Sequence, residues 1–347
     1  MFLLFSAVIL FNLPGLLFPR ENTAPKYRFT ELFTIGTKES DSEEKTDDPY
    51  LFYMITSIDC DKDQNIYVLD YQAINVKKFD HCGKYITTYF SAGKGPQELA
   101  NPYEVSINQY TGHMFILQDF GLTMKEFDQE VKELRYFKLP QQFFGYFFFL
   151  NAEEFVYLNA VPYSKQFHNF KIANVVQKKI LKEFAPVEMD SDINYKQIFS
   201  VSENLVLWTS RGNDMTLLAF DLKTGNQIEE IRIPGNFKKN KMMTTPGSGD
   251  QTMYIPILYN VAQPFVIDKQ LFVLVIIQEY EEKDGKINHF PVKWKRILYQ
   301  VNGANFVNLG ELKDCEDLFY GNVSKNRLFL YSNEPYGRIR VFEFNKR

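Results

Sequence analysis

One mark recurs along this 347-residue chain at a nearly fixed spacing, and that spacing limits the folds open to it. The mark is an apolar strand that closes on an aromatic and a polar residue, then a turn and another strand. It reads Lys78-Phe79-Asp80, Glu126-Phe127-Asp128 and Ala219-Phe220-Asp221. A weaker copy is Phe170-Lys171-Ile172-Ala173, and later ones are Leu298-Tyr299-Gln300 and Glu343-Phe344-Asn345. Taken at positions 79, 127, 172, 220, 299 and 344, the intervals are 48, 45, 48, 79 and 45 residues. Four of the five fit the ~40–50-residue period of four-stranded propeller blades. The long interval holds two polar insertions, residues 234–251 and 279–289, which account for its excess. Six marks predict an all-β propeller of six four-stranded blades.

The best copy runs from Ile55 to Pro102 and reads as one whole blade plus the passage to the next. Strands flank a polar turn at Asp61–Gln64, a third ends at Asp80, and an outer strand follows Gly83. The last mark is followed only by Lys346 and Arg347, so that blade lacks an outer strand. The segment YRFTELFTI, residues 27–35, and its exit Gly36-Thr37-Lys38 resemble the outer strand and exit of the first blade. An N-terminal strand completing the C-terminal blade is therefore expected, which would close the ring and protect its edges. Residues 38–48, acidic and polar, are expected to form a mobile surface loop. Residues 25–347 then make a single domain. The 33 Phe and 21 Tyr suit strands better than helices. The run FFGYFFFL, residues 143–150, reads as the buried inner strand of blade 3, with a carbohydrate-stacking platform as the alternative.

The first 18 residues are apolar and the next six polar, as in an export signal removed after residue 24. The segment has no Lys or Arg before Arg20, and Pro14-Gly15 interrupts it. Export to the periplasm or cell exterior is the expectation, with an uncleaved N-terminal membrane anchor as the alternative. No later apolar run is long enough to span a membrane. A net charge of -4 argues against nucleic-acid binding, which calls for a basic face. The three cysteines, Cys60, Cys82 and Cys315, contain no Cys-x-x-Cys zinc spacing. Pairing of Cys60 with Cys82 stays open, since it depends on Cβ geometry.

Asn65-Ile66-Tyr67-Val68-Leu69-Asp70, Lys78-Phe79-Asp80 and Gly93-Lys94-Gly95-Pro96-Gln97-Glu98 together resemble NHL-like propellers. More narrowly, the chain resembles the bacterial six-bladed β-propeller family of exported proteins, whose first blade leaves through a Gly-Lys-Gly-Pro-Gly-Glu type loop. Gln97 departs from that pattern, and the motif-level likeness covers residues 55–130. The resemblance implies a fold and export more than an activity.

The motifs that bear on chemistry are sparse. Asp59-x-Asp61-x-Asp63-x-Asn65 mimics a calcium loop, but Gln64 stands where the loop needs glycine and Asp70 where it needs glutamate. A hairpin turn capped by Asp and Asn explains it. The loop at residues 93–98 lacks a P-loop ending and reads as an inter-blade connector, with Lys94 and Glu98 as its candidate contacts. His81, His113, His168 and His289 form no ligand spacing and fall in or beside turns. Asn322-Val323-Ser324 matches a glycosylation pattern that carries little weight here.

The first expectation is a monomeric, non-enzymatic binding or scaffold propeller recognising a protein or carbohydrate ligand without a cofactor. Its candidate surfaces are the blade connector and the two insertions, with Lys94, Glu98, Lys238, Lys239, Lys241 and, near the second insertion, Trp294 as candidate binding residues. The second is a metal-dependent hydrolase or lyase resembling gluconolactonase-type and amidating-lyase propellers, with calcium or zinc held by axial carboxylates such as Asp70 and Asp119.

Overall fold

The computed structural model describes residues 27–36, 48–119, 121–139, 146–159, 168–187, 199–211, 215–238, 241–246, 252–257, 260–283, 286–313, 319–333 and 336–346. Among these, every regular element is a β-strand. The candidate export segment, the acidic linker, Lys239 and Cys315 lie outside the described residues.

Six antiparallel sheets of four strands follow one another along the chain. Blade 1 is Ile55–Cys60, Ile66–Asp70, Asn75–Phe79 and Tyr85–Tyr89; blade 2 is Glu104–Ile107, Met114–Gln118, Thr123–Phe127 and Glu133–Lys138. Blade 3 is Phe147–Phe149, Glu154–Asn159, His168–Asn174 and Lys179–Val187; blade 4 is Ser200–Val201, Val206–Arg211, Thr216–Asp221 and Gln227–Arg232. Blade 5 is Asn260–Ile267, Gln270–Lys283, Lys286–Asn302 and Asn305–Glu311. Blade 6 takes Phe319–Ser324, Arg327–Ser332 and Arg338–Lys346 from the C-terminus and its fourth strand, Tyr27–Ile35, from the N-terminus. That strand pairs with Arg338–Lys346 from Tyr27↔Lys346 to Ile35↔Ile339.

Strand alternation builds the core. Successive side chains point to opposite faces, so a strand between two neighbouring sheets must be apolar on both. In blade 6, Leu328 and Leu330 pack toward blade 5, while Phe329 and Tyr331 pack toward blade 1. The same division yields six apolar clusters, one at each blade interface around the ring. Polar ties strengthen the seam between the last blade and the first. Asn333 accepts from the Ile55 N–H at 2.7 Å and donates to the Ile55 carbonyl at 3.0 Å, and Lys325 Nζ donates to the Lys62 carbonyl at 2.7 Å. Gly36, at φ +127°, lies where the closing strand departs; a Cβ there would sit 2.4 Å from the Gly337 carbonyl oxygen. Only glycine fits both conditions.

The recurring mark has a physical basis in two parts. Phe79, Phe127 and Phe220 are buried at blade interfaces. The following Asp turns back onto the next turn's backbone: Asp80 accepts from the Cys82 and Lys84 N–H groups at 2.8 and 2.9 Å, and Asp128 from Glu130 and Lys132 at 3.0 and 2.9 Å. In blade 3 this role belongs to Asn174, which accepts from Val176 and Gln177, so the blade 3 mark lies at 173–174 rather than 172–173. In blade 5 the third strand runs on to Asn302, two residues beyond Gln300.

The two insertions are strands more than loops. Lys241–Pro246 pairs with Thr252–Ile257 as a separate ribbon between blades 4 and 5. The second insertion lengthens the middle hairpin of blade 5, with Glu279↔Lys293 and Lys283↔Lys286 continuing the same ladder.

Candidate functional site

Each blade's first strand stands at the axis. Together these strands enclose a cavity of about 290 Å³, near the lower end of the ~300–1,000 Å³ usual for small-molecule sites. Its wall is divided. Blades 6, 1 and 2 contribute most of the polar groups, Asn322, Ser324, Lys325, Asp59, Gln64, Glu104, Ser106 and Gln109, together with Ile58, Val105, Ile107 and Val323. Blades 3, 4 and 5 contribute Tyr146, Phe148, Phe199, Ser200, Val201 and Val266. In a ring of six, blades 1, 2 and 6 stand opposite 4, 5 and 3, so a polar arc faces an apolar one.

The polar arc is tied together by hydrogen bonds across blades. The Asp59 carboxylate accepts from the Cys60 and Ile107 N–H groups, each at 2.7 Å, and from Asn322 Nδ2 at 2.6 Å. One carboxylate thus joins blades 6, 1 and 2. Burial outweighs these bonds and pushes the Asp59 pKa up to about 6. Glu104 accepts from Ser57 Oγ at 2.8 Å, Gln109 Nε2 donates to the Cys60 carbonyl at 2.5 Å, and Gln64 Nε2 donates to Ser324 Oγ at 2.8 Å. Beside them, burial and the charges of Asp59 and Asp61 hold the Cys60 thiol well above its ordinary range. That thiol is poorly suited to nucleophilic chemistry.

On the apolar arc, alternation sends Phe147 and Phe149 into the interface of blades 2 and 3 and leaves Phe148 42% exposed. Tyr146 packs against the cluster of blades 3 and 4 and also that of blades 5 and 6, so it reaches across the axis. Tyr146 precedes its strand, whereas Gln64, Gln109 and Lys325 lie in turns joining first to second strands. The cavity therefore has a floor at Tyr146 and a mouth at those turns.

The residues singled out in the sequence lie elsewhere. Asp70 accepts from the N–H groups of Tyr53 at 2.9 Å and Met54 at 3.0 Å, and Asp119 from Thr123 Oγ1 at 2.8 Å. Both serve blade turns, and neither lines the cavity. Among the described residues, no three His, Cys, Asp or Glu side chains gather as a metal-binding group. Glu98 folds its own connector by accepting from the Gly95 N–H at 2.8 Å, while buried Lys125 holds the Gly95 and Glu98 carbonyls at 2.7 and 2.9 Å. Lys94 and Lys238 are exposed, and the Lys241 side chain lies outside the described residues. Trp294 is partly buried against the blade 5–6 cluster, with the Arg296 guanidinium 5.0 Å from its ring centre. By strand order these positions belong to crossings between blades or to a hairpin joining second and third strands. That is the ring face opposite the cavity mouth. The calcium-like run splits: Asp61 caps its turn through the Asp63 and Asn65 N–H groups, both at 2.9 Å, while Asp59 belongs to the axial wall. Cys60 and Cys82 are both free.

The cavity residues Asp59, Glu104, Asn322 and Phe148 were missed as a set. A usable signal existed for three of them, since the first strands of blades 1, 2 and 6 carry Asp59, Glu104 and Asn322 among mostly apolar residues, whereas nothing polar marks Phe148 in Phe147–Phe149.

Residues 45–210, just under half of the chain, match the DUF5128 family, described as a 6-bladed beta-propeller. No curated protein matches the sequence. Solved structures share the fold, two of them from Bacteroides. One is a Bacteroides fragilis protein named as a candidate exported protein, 13% identical, covering 92% of this chain and 95% of its own, at a TM-score of 0.59. The other, from Bacteroides vulgatus, belongs to the DUF4221 family, is 12% identical, and covers 94% and 98% of the two chains at 0.57. The NHL likeness is a looser form of the same relation. The chain is a six-bladed β-propeller, the fold that the family match describes and these neighbours share.

Proposed function

We propose that the protein is an exported, non-enzymatic binding propeller that holds its ligand, a glycan or a small group borne by a protein, in the axial cavity. The observation that carries this reading is the division of the cavity wall. A polar arc pre-set by hydrogen bonds across three blades faces an aromatic and aliphatic arc, which suits a ligand with one wet and one dry side. Export rests on the N-terminal apolar segment, and the name of the Bacteroides fragilis neighbour accords with it. The site's carboxylates accept hydrogen bonds from the protein itself, and the neighbouring thiol is held protonated, so the wall favours recognition over chemistry.

Equilibrium dialysis of the purified protein against fractionated soluble glycans and peptides, read by mass spectrometry, tests this. Wild type is expected to retain a low-mass species that Ser200→Trp, which fills the cavity, does not retain at an unchanged melting temperature. Equal retention by both proteins, or loss only on deleting residues 238–249, would move the site to the opposite face.

A further inference from the structure

We infer that the ligand of the axial cavity is a single neutral saccharide ring, its C–H face seated on Phe148 and its hydroxyl edge turned to the arc of Asp59, Asn322 and Gln109. This rests on the axial reading above and narrows it to one ligand class.

Three observations converge. The first is size: about 290 Å³ admits one small ring and excludes a folded peptide segment. The second is Phe148. Its neighbours Phe147 and Phe149 are 5% and 4% exposed, whereas Phe148 is 42% exposed. An aromatic face left open inside a cavity is a platform for an apolar surface of similar width. Sugar rings offer such a surface on one side while keeping donors and acceptors on their rim.

The third is the state of the polar arc. A bare pair of carboxylates would select a cation. Here the Asp59 carboxylate already accepts from two backbone N–H groups and Asn322, and Glu104 accepts from Ser57. The amides of Gln64 and Gln109, the Ser106 and Ser324 hydroxyls and Lys325, whose ammonium is engaged by the Lys62 carbonyl, supply the other polar groups of the arc. Among them, Gln64 donates through Nε2 to Ser324, but its Oε1 is buried without a partner. Amides and hydroxyls beside carboxylates that are already engaged, opposite an aromatic ring, match a neutral polyol better than an ammonium ion.

Isothermal titration of the whole protein with glucose, galactose, mannose, xylose and N-acetylglucosamine, alongside choline as a cationic probe, tests the inference. At least one sugar is expected to bind. Phe148→Ala, at an exposed position, is expected to weaken that affinity at least tenfold, while Phe148→Trp retains it. Binding of choline alone, binding of no sugar, or indifference to Phe148→Ala would overturn the inference. If dialysis still yields a ligand blocked by Ser200→Trp, the axial reading survives and only the saccharide class falls; if that also fails, both fall.

Discussion

Asp59 makes a sharp test of how the ring's seam is held. Two effects oppose each other at this carboxylate. Burial disfavours its charge, and hydrogen bonds from Ile107, Cys60, Ser106 and Asn322 favour it. Burial is the larger, lifting the pKa from 3.8 to about 6. Between those values the folded protein keeps a proton that the unfolded chain has released. Stability therefore falls as pH rises through that window and is level on either side. At about 1.36 kcal/mol per unit, the loss on going from pH 3.5 to pH 7 is about 3 kcal/mol for this group. Other carboxylates titrate in the same range, so the informative quantity is a difference. Urea unfolding of wild type and Asp59→Asn, followed by tryptophan fluorescence at pH 4, 5, 6 and 7, isolates it. The wild type should lose about 2 kcal/mol relative to the variant across the series, whatever the offset between them at pH 4. That offset is expected to favour wild type, because the Asn amide would point a donor at groups that are themselves donors. A flat difference, or one in which wild type gains as pH rises, would mean that the hydrogen bonds outweigh burial.

Three further outcomes follow from burial. Phe79→Ala should cost about 3–5 kcal/mol by chemical denaturation, since Phe79 is fully buried among Tyr50, Phe52 and Tyr85. Ile86→Ala, on the outer strand of the same blade and 47% exposed, should change stability by under about 0.5 kcal/mol. Maleimide labelling of the native protein, read by peptide mass mapping, should modify exposed Cys82 and spare buried Cys60 until denaturant is added. Equal labelling rates would contradict the burial of the first blade's inner strand.

The architecture was legible because its determinants are local and repeat. An aromatic anchor and a turn-closing carboxylate lie side by side in sequence, so Phe79-Asp80, Phe127-Asp128 and Phe220-Asp221 announce a blade wherever they occur. Where the local chemistry changed, reading slipped by a residue or two: Asn174 took the carboxylate's part in blade 3, and Asn302 ended a longer strand in blade 5. The cavity was not legible for the converse reason. Its wall takes between one and four residues from each of six strands that are far apart in sequence. Nothing in FFGYFFFL separates Phe148 from its neighbours until the register is known, since one step along a strand exchanges core for axis. Asp59 was hidden inside an apparent turn motif whose capping is done by Asp61. The candidate loops drew notice through composition, and composition does not report which face of the ring a connector occupies.

The pairing of Tyr27–Ile35 with Arg338–Lys346 has a consequence for how the molecule comes to be folded. The earliest of the described strands to be synthesised waits for the latest, so their partnership is the most non-local pairing among the described strands. Bringing chain ends together over such a separation costs on the order of 5 kcal/mol of loop-closure entropy in an otherwise open chain. Blades that form in sequence shorten that separation step by step, and the final docking then meets two edges already held near each other. A nascent chain halted before blade 6 would leave Tyr27–Ile35 without its partner and both terminal edges open to other chains. Contact order of this kind slows folding and makes delivery of the complete polypeptide, more than the strength of any one blade, the step on which a closed ring depends.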